Sequence, residues 1–147
     1  LEMNDQIAAA DIFYLNGMDD LAGNQFFKVV RKWPQQGKVW MIMGQMALSY
    51  ATERGNWNAV GFLERAIAEG HKTAEAYSLL GEAYVQTNQL DKAREALRKS
   101  LKINPYRQDT RELLEKLNME YIKMMWYNTI YYYKVVNINK IYGRNKK

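Results

Sequence analysis

Residues 74–105, AEAYSLLGEAYVQTNQLDKAREALRKSLKINP, constrain the fold more than any other stretch of the chain. Tyr77, Leu80 and Tyr84 recur at i, i+3 and i+7, the spacing that puts side chains on one face of an α-helix. Gly81 and Ala93 are small where this helix must cross the next, so the two axes can approach closely. Leu97 fills the gap between the pair, and Pro105 stops the second helix because its ring cannot continue one. The same offsets recur upstream. Ala22, Phe26 and Pro34 are spaced as Ala93, Leu97 and Pro105 are, which puts Ala9, Ala10 and Phe13 at the places of Leu80, Gly81 and Tyr84, with Gly17 in the turn. Trp40, Met43 and Gly44 then reproduce Tyr77, Leu80 and Gly81, while Ala59, Leu63 and Ala66 reproduce Ala93, Leu97 and Ser100.

Tyr77, Leu80, Gly81, Tyr84, Ala93, Leu97 and Pro105 together resemble the signature of the tetratricopeptide repeat, a helix–turn–helix unit of about 34 residues, with Tyr for its Trp and Leu for its Phe. The resemblance covers residues 3–106. It implies an all-α fold, an α-solenoid of antiparallel helical hairpins wound into a right-handed superhelix, with three repeats and a C-terminal capping helix. Helices are expected near 4–15, 19–31, 37–51, 57–69, 73–87, 90–103 and 108–120. In the first repeat Gln6 stands where Tyr77 does, a lack of the large aromatic that a terminal repeat tolerates. The second repeat is longer between Gly44 and Ala59, which resembles the Sel1-like variant; the addition is either a longer turn or an added helical turn. Its second helix ends at Gly70, suited to a left-handed cap. Asp109 or Thr110 is expected to cap the seventh helix, whose apolar face is Leu113, Leu114 and Leu117.

A chain of 147 residues suits one domain, read as a repeat domain over 3–120 and an aromatic, basic extension, helical or disordered, over 121–147. Cysteine is absent and His71 is the only histidine, which excludes disulfides, thiolate metal sites and multi-histidine sites. The glycines belong to the repeat spacing and form no phosphate-binding G-x-x-x-x-G-K-[ST] loop. Carboxylates are spread among Lys and Arg, and His71 reads as a surface residue. No catalytic residue, metal site or cofactor is expected, and the chain is read as no enzyme. The opening Leu1-Glu2-Met3 has no basic and apolar run of signal-peptide type, so the cytoplasm is favoured. The formal charge of +5 belongs wholly to the tail: after Leu117 there are five Lys and Arg144 against Glu120 alone.

In the family resembled, the first helix of each hairpin lines an inner groove. The resemblance puts there Asn4, Ile7, Asp11, Tyr14 and Leu15; Lys38, Met41, Gln45, Leu48 and Ser49; and Glu75, Ser78, Glu82, Val85 and Gln86. Tyr14, Met41, Leu48 and Val85 are expected to share one partly exposed concave face, with Glu82 near its far end. One subset of the family holds chaperone C-termini with a two-carboxylate clamp of Lys, Asn and Arg. At those positions this chain has Ile7, Asp11, Ile42, Glu75 and Leu79, so that ligand is rejected. The acidic end, extended by Asp109 and Glu112, favours a partner carrying Lys or Arg. The expected function is protein–protein recognition, as an adaptor, scaffold or assembly factor that takes a peptide or helix in the groove.

The run from Met119 onward is rich in Tyr, Ile, Asn, Lys and Met, and Lys123 and Lys134 interrupt any apolar stretch long enough to span a bilayer. Thr129 to Val136 also has high β-propensity. Leu114, Leu117, Tyr121, Met124, Asn128, Tyr131, Val135, Ile138 and Tyr142 alternate by three and four, the a/d seam of a coiled coil with Asn128 at an a position. The reading is homo-oligomerisation through residues 114–142. Attachment of the basic tail to RNA or to a membrane surface is ranked below a protein partner.

Overall fold

The computed structural model describes residues 2–143. Leu1 and three of the tail cations, Arg144, Lys146 and Lys147, lie outside the described residues. The described residues form helices α1 (Met3–Leu15), α2 (Asp19–Lys32), α3 (Gly37–Ser49), α4 (Glu53–Ala68), α5 (Ala74–Gln86), α6 (Leu90–Ile103) and α7 (Gln108–Gly143), and no strand. Helices α1–α2, α3–α4 and α5–α6 pair as hairpins, α5 packs on α4, and α7 closes on α6. This is the all-α solenoid that the repeat spacing implies.

The hairpins close where the small residues fall. A Cβ added to Gly81 would lie 2.5 Å from Cδ2 of Leu97, and one added to Gly44 would lie 2.5 Å from Cγ of Leu63. Neither helix can carry a methyl group there without moving its neighbour. Leu63 and Leu97 are themselves wholly buried, as are Ala10, Ala22, Ala59 and Ala93 around the three crossings.

All three hairpins turn through one left-handed residue placed seven after the small residue of the crossing: Gly17 at φ 70°, Ala51 at φ 49° and Asn88 at φ 57°. Reversed hydrogen bonds end the preceding helix: Gly17 N–H to the Tyr14 carbonyl at 3.0 Å and Met18 N–H to that of Phe13 at 2.9 Å. Asn88 and Gln89 repeat the pair on Val85 and Tyr84, at 3.0 and 2.8 Å. Every second helix starts two residues after the left-handed one, at Asp19, Glu53 and Leu90. The additional length of the second repeat is therefore helix rather than turn, added at the start of α4. Thr52 caps it by accepting the Gly55 N–H at 3.0 Å. Helix α4 thus starts at Glu53 and not near 57, the largest difference from the expected boundaries among the first six helices.

The core forms two clusters that share α3. Phe26, Val29 and Val30 of α2 meet Val39, Met43 and Met46 of α3 in one. Met41 and Ala47 of α3 join α4, α5, α6 and Leu117 of α7 in the other. Trp40 and Phe62, with ring centres 5.9 Å apart, pack against both.

Helix α7 begins at Gln108, as expected, but Asp109 and Thr110 then lie inside its first turn and do not cap it. Thr110 is buried instead, its hydroxyl 2.8 Å from that of Ser78 on α5. The helix also runs past 120 to Gly143, the first Gly or Pro after its start, so nothing in the chain breaks it earlier. The β-propensity of 129–136 yields to this uninterrupted helix. One repeat length beyond Tyr77, Gly81 and Tyr84 stand Arg111, Glu115 and Asn118. Polar and bulky at the crossing positions, they make α7 a lid and not the first half of a fourth hairpin.

Three substitutions test this packing by urea denaturation. Gly81→Leu is expected to destabilise the fold by about 1–3 kcal/mol through overpacking against Leu97. Gly61→Ala, mid-helix in α4 where an added Cβ meets nothing within 4 Å, is expected to stabilise it by about 0.5–1 kcal/mol. At the left-handed turn, Ala51→Gly is expected to stabilise by about 1 kcal/mol, because it removes the Cβ that this backbone conformation crowds.

Candidate binding surface

The first helices of the second and third hairpins adjoin, α3 packing on α5, and α5 is tied to α7 through Ser78 and Thr110, while Tyr14 of α1 packs against the cluster that holds Met43 and Met46 of α3. Tyr14, Leu48 and Val85 occupy the same repeat position on α1, α3 and α5, and each is half-buried. Leu15 follows Tyr14 and is 82% exposed. Asp11 and Gln45 are half-buried; Lys38, Glu75 and Glu82 are exposed, as are Asn4, Ser49 and Gln86.

Met41 departs from the expected groove. It is only 6% exposed and belongs to the core of the second and third repeats. Its repeat position points between neighbouring first helices, where the next hairpin covers it. Ser78, at the same position on α5, is likewise turned to its neighbour by the bond to Thr110. Ile7, the α1 counterpart, is half-buried against the first cluster. The accessible part of the surface is thus Tyr14, Leu15, Leu48 and Val85, with Asp11, Gln45, Lys38, Glu75 and Glu82 around them.

Acidic character continues onto α7 through Asp109 and Glu112. The Asp109 carboxyl is held below the usual carboxylate range, first by the Thr110 backbone N–H and also by Arg107, whose Nη2 is 3.0 Å away. It is a fixed negative charge at neutral pH.

A second feature lies among α4, α5 and α6, where the sequence pattern alone indicates only core. Tyr84 donates its hydroxyl to Oε1 of Glu64 at 2.5 Å, beside a cleft of about 350 Å³ that Tyr77, Lys92, Glu95 and Lys99 also line. Burial, and then the Glu64 carboxylate, push the Tyr84 hydroxyl well above the ordinary tyrosine range. Lys92 stands 5.4 Å from the Tyr84 ring centre and Lys99 5.9 Å from that of Tyr77. The repeat register places Glu64 next to Leu63 at the crossing but carries no sign that it meets Tyr84 of the next repeat. His71 is half-buried in the turn before α5, its backbone N–H bonded to the Ala66 carbonyl at 2.9 Å. Among the described residues no three His, Cys, Asp or Glu side chains are grouped to hold a metal ion, and no helix is long and apolar enough to cross a membrane.

Residues 74–107 match the tetratricopeptide repeat family. That span, the third hairpin, is a tetratricopeptide repeat. No curated protein sequence matches it. Among solved structures, the first tetratricopeptide domain of Spaghetti (RPAP3), in complex with the HSP90 peptide SRMEEVD, is 16% identical with a TM-score of 0.74, over 82% of this chain and 93% of that one. MamA is 19% identical with a TM-score of 0.74, over 80% of this chain and 63% of that one. The Sgt2 domain from Aspergillus fumigatus is 15% identical with a TM-score of 0.67, over 83% of this chain and 80% of that one. At these identities the likeness is one of fold. It extends the helical-repeat architecture from the matched third hairpin to most of the chain.

Tyr84→Phe is expected to cost about 1 kcal/mol at neutral pH, the worth of one hydrogen bond to a carboxylate partly open to water. Because the folded state holds the Tyr84 proton more tightly than the unfolded chain does, its contribution is complete below pH ~10 and declines as pH rises above it. The stability gap between the native chain and Tyr84→Phe, measured by urea titration, should therefore narrow above pH ~10.

Proposed function

We propose that this protein is a non-catalytic recognition module that takes a basic, partly apolar peptide segment along its first-helix surface. The observation that carries the reading is the row of Tyr14, Leu48 and Val85, accessible at one repeat position on three first helices and bordered by Asp11, Glu75 and Glu82. The apolar row supplies anchors on a surface already formed, which limits the ordering cost of binding. The carboxylates set the sign of the partner. The fold likeness to a domain whose structure holds the peptide SRMEEVD supports peptide recognition in general. That peptide carries three acidic residues, however, and here Asp11 and Glu75 stand where a clamp of Lys and Asn would be needed. An adaptor or assembly role follows from such a surface, with the partner contributing Lys or Arg beside a large apolar side chain.

An array of short peptides graded in charge, including SRMEEVD, tests this. Binding is expected to concentrate on sequences of net positive charge that place Lys or Arg next to an apolar anchor, with SRMEEVD, net negative through its three acidic residues, silent. Glu82→Lys should weaken the strongest of these about ten-fold, equivalent to ~1.4 kcal/mol, and Leu48→Glu should do so as well, both with unchanged thermal unfolding. Binding of SRMEEVD at the strength of the basic peptides would refute the proposal.

A further inference from the structure

Helix α7 leaves the repeats near Tyr121, whose ring carries the Arg94 guanidinium 4.5 Å from its centre. Leu117, one turn earlier, is buried against α6 and the rest of the core. Beyond Tyr121, the stripe that Leu114 and Leu117 turn toward the repeats continues through Met124, Tyr131, Val135, Ile138 and Tyr142, all exposed. The overhang from 119 to 143 is about 37 Å long at ~1.5 Å per residue. No other described helix of the chain covers it, because α6, which runs antiparallel beneath α7, begins only at Leu90. At that point a cleft of about 520 Å³ opens between the two helices, lined by Asn88, Leu90, Asp91, Glu120, Tyr121 and Met124 among others.

We propose that the occupant of this stripe is the α7 overhang of a second copy, lying antiparallel and continuing the line of α6. Three features of the chain select it. The stripe is already occupied at Leu114 and Leu117 by the repeats, so a parallel partner would bring two repeat bodies to one side at the same end. Antiparallel pairing places the bodies at opposite ends. It also sets the C-terminal end of the partner's α7, the negative end of its dipole, against the N-terminal end of α6. Finally, past Glu120 the described overhang holds Lys123, Lys134 and Lys140 and no carboxylate, while the cleft presents Glu120 beside an Asp91 that Arg94 already pairs with. Glu120 is left to meet the lysines of the approaching end.

Tyr121 sits under Arg94 and limits how far the partner can slide. The longest overlap that clears it pairs Met124 with the second copy's Tyr142, Asn128 with its Ile138 and Tyr131 with its Val135, and symmetry repeats each contact. The arrangement is a closed two-fold one. The two tyrosines of the seam, at about 150–250 Å² each when buried, are joined by Met124, Asn128, Val135 and Ile138 toward the ~800 Å² per partner usual for a stable complex. The first-helix surface at Tyr14, Leu48 and Val85 is left free, so the contact is independent of peptide recognition.

Light scattering of the full chain at micromolar concentration is expected to give the mass of two chains. Val135→Glu, which buries two unpaired carboxylates at the seam, should weaken association by roughly 100-fold or more and give the mass of one chain with unchanged helix content. Tyr133→Glu, on the opposite face of α7, should leave the mass of two. Because the chain has no cysteine, direction can be read by oxidative cross-linking. A mixture of Met124→Cys and Tyr142→Cys chains should cross-link, and each variant alone should not. A native chain with the mass of one, including one that binds anionic vesicles as a monomer, overturns the proposal. Cross-linking within each single variant overturns the antiparallel arrangement.

Discussion

Everything in this stack depends on how closely two helices approach at Gly44 and Gly81. With no Cβ at either position, Leu63 and Leu97 press their branched ends onto the backbone of the facing helix. That contact sets the separation within each hairpin, and the separation in turn sets where the next hairpin can dock. Trp40 shows the dependence. Its indole N–H reaches the Pro34 carbonyl at 2.7 Å, and its ring packs with Phe62, so it links the end of one repeat to the interior of the next. Were the hairpins wider, the aromatic positions would no longer bridge them.

The helices were legible because their signals are local and periodic. Small residues at crossings, a plug four residues after Ala93, and Pro34 or Pro105 beyond a helix end are all carried by spacing. The start of α4 was not, because nothing in Tyr50 to Asn56 separates a long loop from an early helix start. Only the left-handed Ala51, at the place of Gly17 and Asn88, resolves it, and alanine gives no hint of that conformation. The candidate surface was half legible. Tyr14, Leu48 and Val85 remain accessible, whereas Met41 is buried, since repeat position fixes a direction and only the neighbouring helix decides what lies in that direction. The Tyr84–Glu64 bond joins two repeats, and the pattern within one repeat cannot reveal such a contact.

The end of the solenoid is a chemical statement as much as a geometric one. A fourth hairpin would require a small residue at 115, and glutamate stands there, flanked about one turn away on either side by Arg111 and Asn118. Growth stops because the next crossing cannot be made dry. The same helix then changes character over a single turn, from a polar outer face to an aromatic one, at the point where α6 ceases to support it. Structure and composition therefore change together near Leu117.

Sharing α3 between two core clusters bears on how the chain comes apart. Repeat stacks derive their stability from each unit and its nearest neighbour, and their opening proceeds in cooperative blocks. Here the first block is α1, α2 and the Val39, Met43 and Met46 side of α3, while Met41 and Ala47 on the same helix belong to the larger block. The N-terminal hairpin can therefore exchange its amide protons by lifting from α3 while the helices beyond it stay folded. Trp33 packs in the small block alone, so its fluorescence would report that partial opening apart from the global transition.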